Sequence, residues 1–163
     1  MLLILKNLFF TLLIPGTVAV YVPLLITRSR AITNQPLLFV IGMLVITIGT
    51  AVYGWTVWDF ASFGLGTPLP IDAPKKLVVR GLYHYTRNPM YLGVIMVILG
   101  WACLFADGWL LVYAAGVGIA VYLFVVGYEE PKLLKLFGEE YKTYQAEVGR
   151  WMPRFQGGRD HKN

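Results

Sequence analysis

Four stretches of the sequence, 7–27, 37–58, 90–106 and 109–128, carry no charged residue and are each at least 17 residues long. A bilayer's hydrocarbon core is about 30 Å thick, and about 17 to 25 helical residues cross it. Lipid offers nothing to a bare backbone amide, so such runs must satisfy their own hydrogen bonds as helices. A closed barrel would instead show short alternating segments. The expected fold class is therefore all-α, an integral membrane four-helix bundle in one membrane-embedded domain, 1–163. A content of 57% hydrophobic and 14% charged residues excludes an ordinary soluble globule. Aromatics at 15% exclude a disordered chain. Only Asp107 and Gly108 separate the last two runs, which predicts an antiparallel hairpin. Pro15 and Pro23 each remove a backbone donor and predict a bent first helix. Lys6 and Thr17-Val18-Ala19 loosely suit a cleaved signal peptide, but apolar residues continue through Ile26 and no soluble domain follows, so a retained span is preferred.

With four spans the N-terminus, segment 59–89 and segment 129–163 share one side. They hold Lys6, Lys75, Lys76, Arg80, Arg87, Lys132, Lys135, Lys142, Arg150, Arg154, Arg159 and Lys162, against Arg28 and Arg30 on the other side. Positive residues near helix ends stay inside, so both termini and both long polar segments are expected at the cytoplasmic face of the inner membrane. The net charge of +5 is explained by this topology, and no nucleic-acid partner is expected. Cys103 alone forms no intrachain disulfide, and with His84 and His161 as the only histidines no metal site is expected.

Segment 59–89 is too long for a turn and contains Pro68, Pro70, Pro74, Gly64, Gly66 and Gly81. Leu77-Val78-Val79, Tyr83 and Tyr85 predict that it is ordered against something. The alternative is an amphipathic linker with Lys75 and Lys76 on anionic headgroups. Beyond the fourth run, Leu133, Leu134, Phe137, Tyr141, Tyr144 and Val148 recur at helical spacing among charges, predicting a C-terminal amphipathic helix divided at Gly138. Pro131 predicts a corner at Glu129-Glu130. Two adjacent carboxylates beside a membrane repel one another and call for a cation: either Arg87 or Lys132, or a ligand. Arg87 itself reads as an interfacial anchor or a site residue, and Asn88-Pro89 as a helix start. Gly116 and Gly118 suggest close helix packing. Trp55, Trp58, Trp101 and Trp109 suggest interfacial belts. Asp59 and Asp72 have no carboxylate partner at a fixed spacing, and no P-loop, HExxH motif or nucleophile elbow is present.

Taken together, these motifs resemble a superfamily of integral membrane methyltransferases that includes isoprenylcysteine carboxyl methyltransferase and the phospholipid methyltransferases. The resemblance spans residues 66–153. It rests on Gly81-Leu82-Tyr83-His84-Tyr85-Thr86-Arg87-Asn88-Pro89-Met90-Tyr91-Leu92-Gly93, a transmembrane hairpin, Glu129-Glu130, Phe137-Gly138-Glu139-Glu140-Tyr141-Lys142-Thr143-Tyr144 and Arg150-Trp151-Met152-Pro153. It implies methyl transfer from S-adenosylmethionine to a lipophilic substrate drawn from the bilayer. Carried over by position, the cofactor would be held by Lys75, Lys76, Leu77, Val78, Tyr83, Asn88, Pro89, Met90, Tyr91 and Glu129. A glutamate suits the cofactor's ammonium, here Glu129, while Arg87 or the amides opening the third helix suit its carboxylate. Tyr83 or Tyr91 would border the adenine or sulfonium. Glu130 and Arg87 are the expected catalytic pair, with Glu130 holding or deprotonating an amine acceptor. Two positions depart from the carboxyl methyltransferase pattern: Asn88 replaces histidine, and Val125 stands where an arginine receives a substrate carboxylate. The second departure leans toward a neutral or cationic acceptor, unless Arg87, Arg150 or Arg154 supplies the missing charge. Membrane sterol-type reductases using NADPH share an Arg-x-Pro-x-Tyr run, and together with a noncatalytic scaffold they form the alternatives.

Overall fold

The computed structural model describes residues 13–60, 62 and 76–154, all of whose regular elements are helical. A π-helical turn, Thr17–Tyr21, runs into the short helix α1, Val22–Thr27. Pro23 has no N–H to give the carbonyl four residues back, and the wider i→i+5 turn just before it accommodates that gap. The part of the first apolar run before residue 13 lies outside the described residues. Helix α2 spans Pro36–Asp59, α3 spans Pro89–Phe105, and α4 spans Gly108–Phe124. A second π-turn, Val125–Glu129, leads without a break into α5, Glu130–Glu147. Helix α2 and the continuous stretch Gly108–Glu147 are long and apolar enough to cross a membrane; Thr17–Thr27 and Pro89–Phe105 are apolar but shorter. The chain is a helical membrane protein.

Among the described elements, helices α2 and α3 share the most extensive contact. Glycines seven residues apart on each helix face one another: a Cβ on Gly49 would lie 2.8 Å from the Gly93 carbonyl oxygen, and one on Gly42 would lie 2.9 Å from that of Gly100. Small residues let two backbones approach where lipid supplies no hydrophobic drive. The expectation for Gly116 and Gly118 is not met. Among the described residues nothing lies within 4 Å of a Cβ on Gly116, and only Ile95 Cδ1, at 4.0 Å, approaches one on Gly118.

Ala19, Val94, Val97, Ile98 and Ala114 form the membrane core, flanked by Tyr53, Trp101, Tyr113 and Val117. Tyr113 donates to the Val18 carbonyl (2.8 Å), tying the first helix to α4. Trp55, Trp58 and Trp109 are exposed, as belt residues should be, whereas Trp101 is partly buried and stacks on Phe105. The α3–α4 hairpin forms as expected: Ala106 adopts the left-handed conformation, and Asp107 caps α4 by accepting from the Trp109 amide (2.7 Å). Arg30 meets the other Asp107 oxygen at 2.8 Å.

The corner expected at Glu129-Glu130 is absent, since both residues keep right-handed helical angles and the π-turn absorbs the change. The break falls instead at Gly138 (φ 53°, ψ −122°), which divides α5 as the sequence predicts. Beyond the break Tyr141, Tyr144 and Val148 form a second core with Leu77, Val79, Leu133 and Phe137. The Leu77–Val79 run is therefore ordered against the amphipathic helix.

Candidate active site

Five segments converge on one end of the bundle: the end of α2, the 3-10 turn Gly81–His84, the start of α3, the π-turn with the start of α5, and residues 148–150. Pro89 fixes the first residue of α3 and its fixed φ suits that place. Asn88 precedes it without capping the helix. Its side-chain amide instead donates to the Arg150 carbonyl (3.1 Å), which also accepts from the Thr86 hydroxyl (3.0 Å). The Arg87 amide donates to the Gly149 carbonyl (3.0 Å). Two motifs more than sixty residues apart in sequence are thereby joined through backbone groups.

Arg150 turns its side chain onto Glu130, with Nε to Oε1 and Nη2 to Oε2 both at 2.8 Å. Such a fork fixes orientation as well as charge. Arg87 Nη1 lies 3.1 Å from Glu130 Oε1 at an angle that makes it an ion pair but no hydrogen bond, and Tyr141 is its other side-chain partner. Arg87 and Glu130 expose only 7% and 11% of their side chains, so this is a desolvated pair rather than a surface one. Burial pushes the Tyr141 hydroxyl up to about 12, with Glu130 adding to the shift and Arg87 opposing it. Lys132 lies over the Tyr128 ring at 5.6 Å. The carboxylate pair thus meets Arg87, one of the two partners weighed from sequence, together with Arg150, which sequence reasoning missed. Its signal was the Arg150-Trp151-Met152-Pro153 motif.

Glu129 is set apart from that cluster. Its Oε2 accepts from the Tyr91 hydroxyl (2.8 Å), and it lies close enough to Tyr83 to act on it electrostatically. Burial raises the Glu129 carboxyl above its ordinary value, the hydrogen bond from Tyr91 opposes this, and neighbouring Glu130 adds to it. Tyr83 is itself buried; burial first, then Glu129, pushes its hydroxyl far up. Tyr144 donates to the Tyr83 carbonyl (2.8 Å), holding the 3-10 turn in place.

Among the other expected site residues, Val78, Asn88, Pro89 and Met90 are buried and Leu77 packs on the second core. Lys76 is exposed. Lys75 lies outside the described residues. Tyr83, Tyr91 and Glu129 therefore come together, while Glu130 and Arg87 form a neighbouring cluster with Arg150. One half-buried carboxylate beside two tyrosines fits an ammonium such as the one S-adenosylmethionine carries.

The model of the phospholipid methyltransferase family matches residues 37–140. Among curated relatives, methanethiol S-methyltransferase 1 of Bradyrhizobium diazoefficiens is 37% identical over 81 residues, covering 49% of this chain and 27% of the relative. Methanethiol S-methyltransferase of Pseudomonas deceptionensis is 31% identical over 122 residues, covering 71% of this chain and 44% of the relative. An uncharacterised protein of Haemophilus influenzae is 31% identical over 68 residues, covering 39% of this chain and 100% of the relative. The chain spans less than half the length of the two methanethiol S-methyltransferases.

Proposed function

The chain belongs to the phospholipid methyltransferase family, and we propose that it transfers a methyl group from S-adenosylmethionine to a lipophilic acceptor at the cytoplasmic face of a membrane. In this reading the whole chain is one domain of four spans, with segments 59–89 and 129–163 on the cytoplasmic side. The observation that carries the proposal is Glu129, half-buried, held by Tyr91 and flanked by Tyr83.

Glu129 binds the cofactor's ammonium. Arg87 is turned inward onto Glu130 and Tyr141, so the cofactor's carboxylate falls to the amides that open α3 after Pro89, where the helix dipole favours an anion. Tyr83 and Tyr91 border the adenosyl and sulfonium groups, Val78 and Met90 supply apolar wall, and the exposed Lys76 flanks the entrance. When bound, the cofactor supplies an electrophilic methyl group. The chain's own contribution is alignment and exclusion of water.

Glu130 has both oxygens engaged by guanidinium groups. It serves with Arg87 and Arg150 as a positioning clamp that fixes the start of α3 against the π-turn, rather than as the base that the sequence suggests.

The same engagement bears on the acceptor. Val125 is buried, Arg87 and Arg150 are committed to Glu130, and Arg154 donates to the Ala146 carbonyl (2.7 Å). The three arginines weighed as replacements for the missing substrate-binding one are thus occupied, which favours an uncharged or cationic acceptor over a carboxylate. A thiol acceptor is the reading favoured by the two relatives named for methanethiol, and an amine headgroup is the other. Calorimetric titration of S-adenosylhomocysteine into the detergent-purified protein, with NADPH as the control, tests the cofactor. Micromolar binding of the former alone is expected, and NADPH binding in its place would install a reductase.

A further inference from the structure

Thiols and amines share one requirement. Either reaches the site carrying a proton that must leave as the methyl group arrives, and Glu130 and Glu129 are both engaged elsewhere. A third carboxylate lies at the same end of the bundle. Asp59, the last residue of α2, exposes only 3% of its surface, and its Oδ2 has no hydrogen-bond partner among the described residues. A buried carboxylate oxygen left without a donor is costly and calls for an explanation.

This oxygen lies beneath the 3-10 turn that carries Tyr83. Gly81, at φ +56°, lies directly over it: a Cβ there would collide with Asp59 Oδ2 and lie 3.0 Å from Trp55 Nε1. The same 3-10 turn carries Tyr83, on which both Asp59 and Glu129 act electrostatically, so the two carboxylates flank one tyrosine. Among the described residues the titratable and charged groups facing Asp59 are Arg80, whose Nε stands 4.0 Å from Oδ1, and Tyr83, with Tyr53 also near Tyr83 on α2 and Glu129 beyond it on the π-turn. Arg80 stands on the side of the other oxygen, Oδ1. Trp55, one helical turn earlier, is 59% exposed on the outer surface of α2, where a molecule dissolved in lipid would arrive.

We propose that Asp59 is the proton acceptor for the methyl acceptor's S–H or N–H group, an inference that rests on the methyl-transfer reading above. As the heteroatom's lone pair forms its bond to the methyl carbon, the carbon–sulfonium bond breaks and its electron pair passes to the cofactor's sulfur, which leaves as a neutral thioether. The S–H or N–H proton passes to Asp59 Oδ2 and from there to water. The carboxylate is then restored, and charge and atoms balance.

The test uses the full chain in detergent, with hexanethiol and hexylamine as separate probes and three readouts on wild type, Asp59→Asn and Asp59→Glu. S-adenosylhomocysteine affinity, by calorimetry, is expected within twofold in all three proteins. Absence of that binding in wild type would sink the methyl-transfer reading itself and leave the loss distinguishable from a failure at Asp59. Hexylammonium affinity for the S-adenosylhomocysteine complex is expected to fall about tenfold in Asp59→Asn, since a hydrogen bond to a charged group is lost. Equal affinities overturn the proposal. Methyl transfer to whichever probe wild type accepts is expected to fall at least tenfold in Asp59→Asn near neutral pH. It should recover as the pH is raised toward the probe's own pKa, where the probe arrives deprotonated, and Asp59→Glu should keep part of the neutral-pH activity. A loss that is uniform across pH marks Asp59 as structural and overturns the inference, as does no loss at all. Transfer to hexanethiol alone or to hexylamine alone identifies the acceptor class; transfer to neither, in protein that binds S-adenosylhomocysteine, also overturns it.

Discussion

Glu129 and Glu130 are neighbours in sequence with opposite surroundings. Glu130 is neutralised by Arg150 and Arg87, whereas Glu129 has a tyrosine hydroxyl and a burial penalty. Burial raises the Glu129 carboxyl, so without ligand this group's contribution to stability is fully present below the ordinary carboxyl range and is lost as pH rises through the elevated folded value. An ammonium ligand prefers the ionised form. S-adenosylhomocysteine affinity should therefore climb over that same window, which titration calorimetry from about pH 5 to 8 would trace. Glu129→Gln should flatten the profile and weaken binding by roughly 1.5–3 kcal/mol, the worth of a hydrogen bond to a charged group. For Glu130 the expected effect lies in stability. Glu130→Gln would strand the guanidinium of Arg87, only 7% exposed, and should cost about 3 kcal/mol or more in detergent unfolding. Lys132→Ala, which removes an ammonium lying over the Tyr128 ring, should fall within about 1 kcal/mol of wild type. That two carboxylates here need a cation was legible from their adjacency. Which carboxylate takes which partner was not, because Arg150 reaches Glu130 only through a turn whose path depends on the side chains of Thr86 and Asn88 donating to the Arg150 carbonyl.

At the scale of elements, length and charge placement carried most of the information. The helical class, the hairpin at Asp107-Gly108, the helix start at Pro89 and the division at Gly138 all follow from local rules that need no knowledge of neighbours. The helix faces were illegible for a physical reason. A run apolar on every side has no stripe to distinguish inside from outside, so Gly116 and Gly118 looked as suited to packing as Gly42 and Gly49. The same uniformity hid the π-turn at Val125–Glu129 and the partly buried place of Trp101. The glycines can be told apart by experiment. Gly93→Val places its side chain against Gly49 and the Tyr53 backbone and should sharply reduce the yield of folded, detergent-stable protein. Gly116→Val meets open space and should be tolerated, a contrast that size-exclusion profiles of the two variants would show.

For the molecule as a whole, the polar work is gathered at one end, with the Arg30–Asp107 pair at the other. If the lysine and arginine asymmetry sets the orientation, reporter fusions at residue 31 should be active outside the cytoplasm and fusions after residue 150 inside. The reverse pattern would place the candidate site on the face without cytosolic cofactor. The link from Thr86 and Asn88 to the Arg150 carbonyl has a further consequence for the order of biosynthesis. Both helices of the α3–α4 hairpin are synthesised before residue 150, so the membrane-spanning part can insert and pack while the site is still open. The last stitch is then made by a stretch of chain that emerges after the helices it joins, leaving final assembly of this site to the end of synthesis.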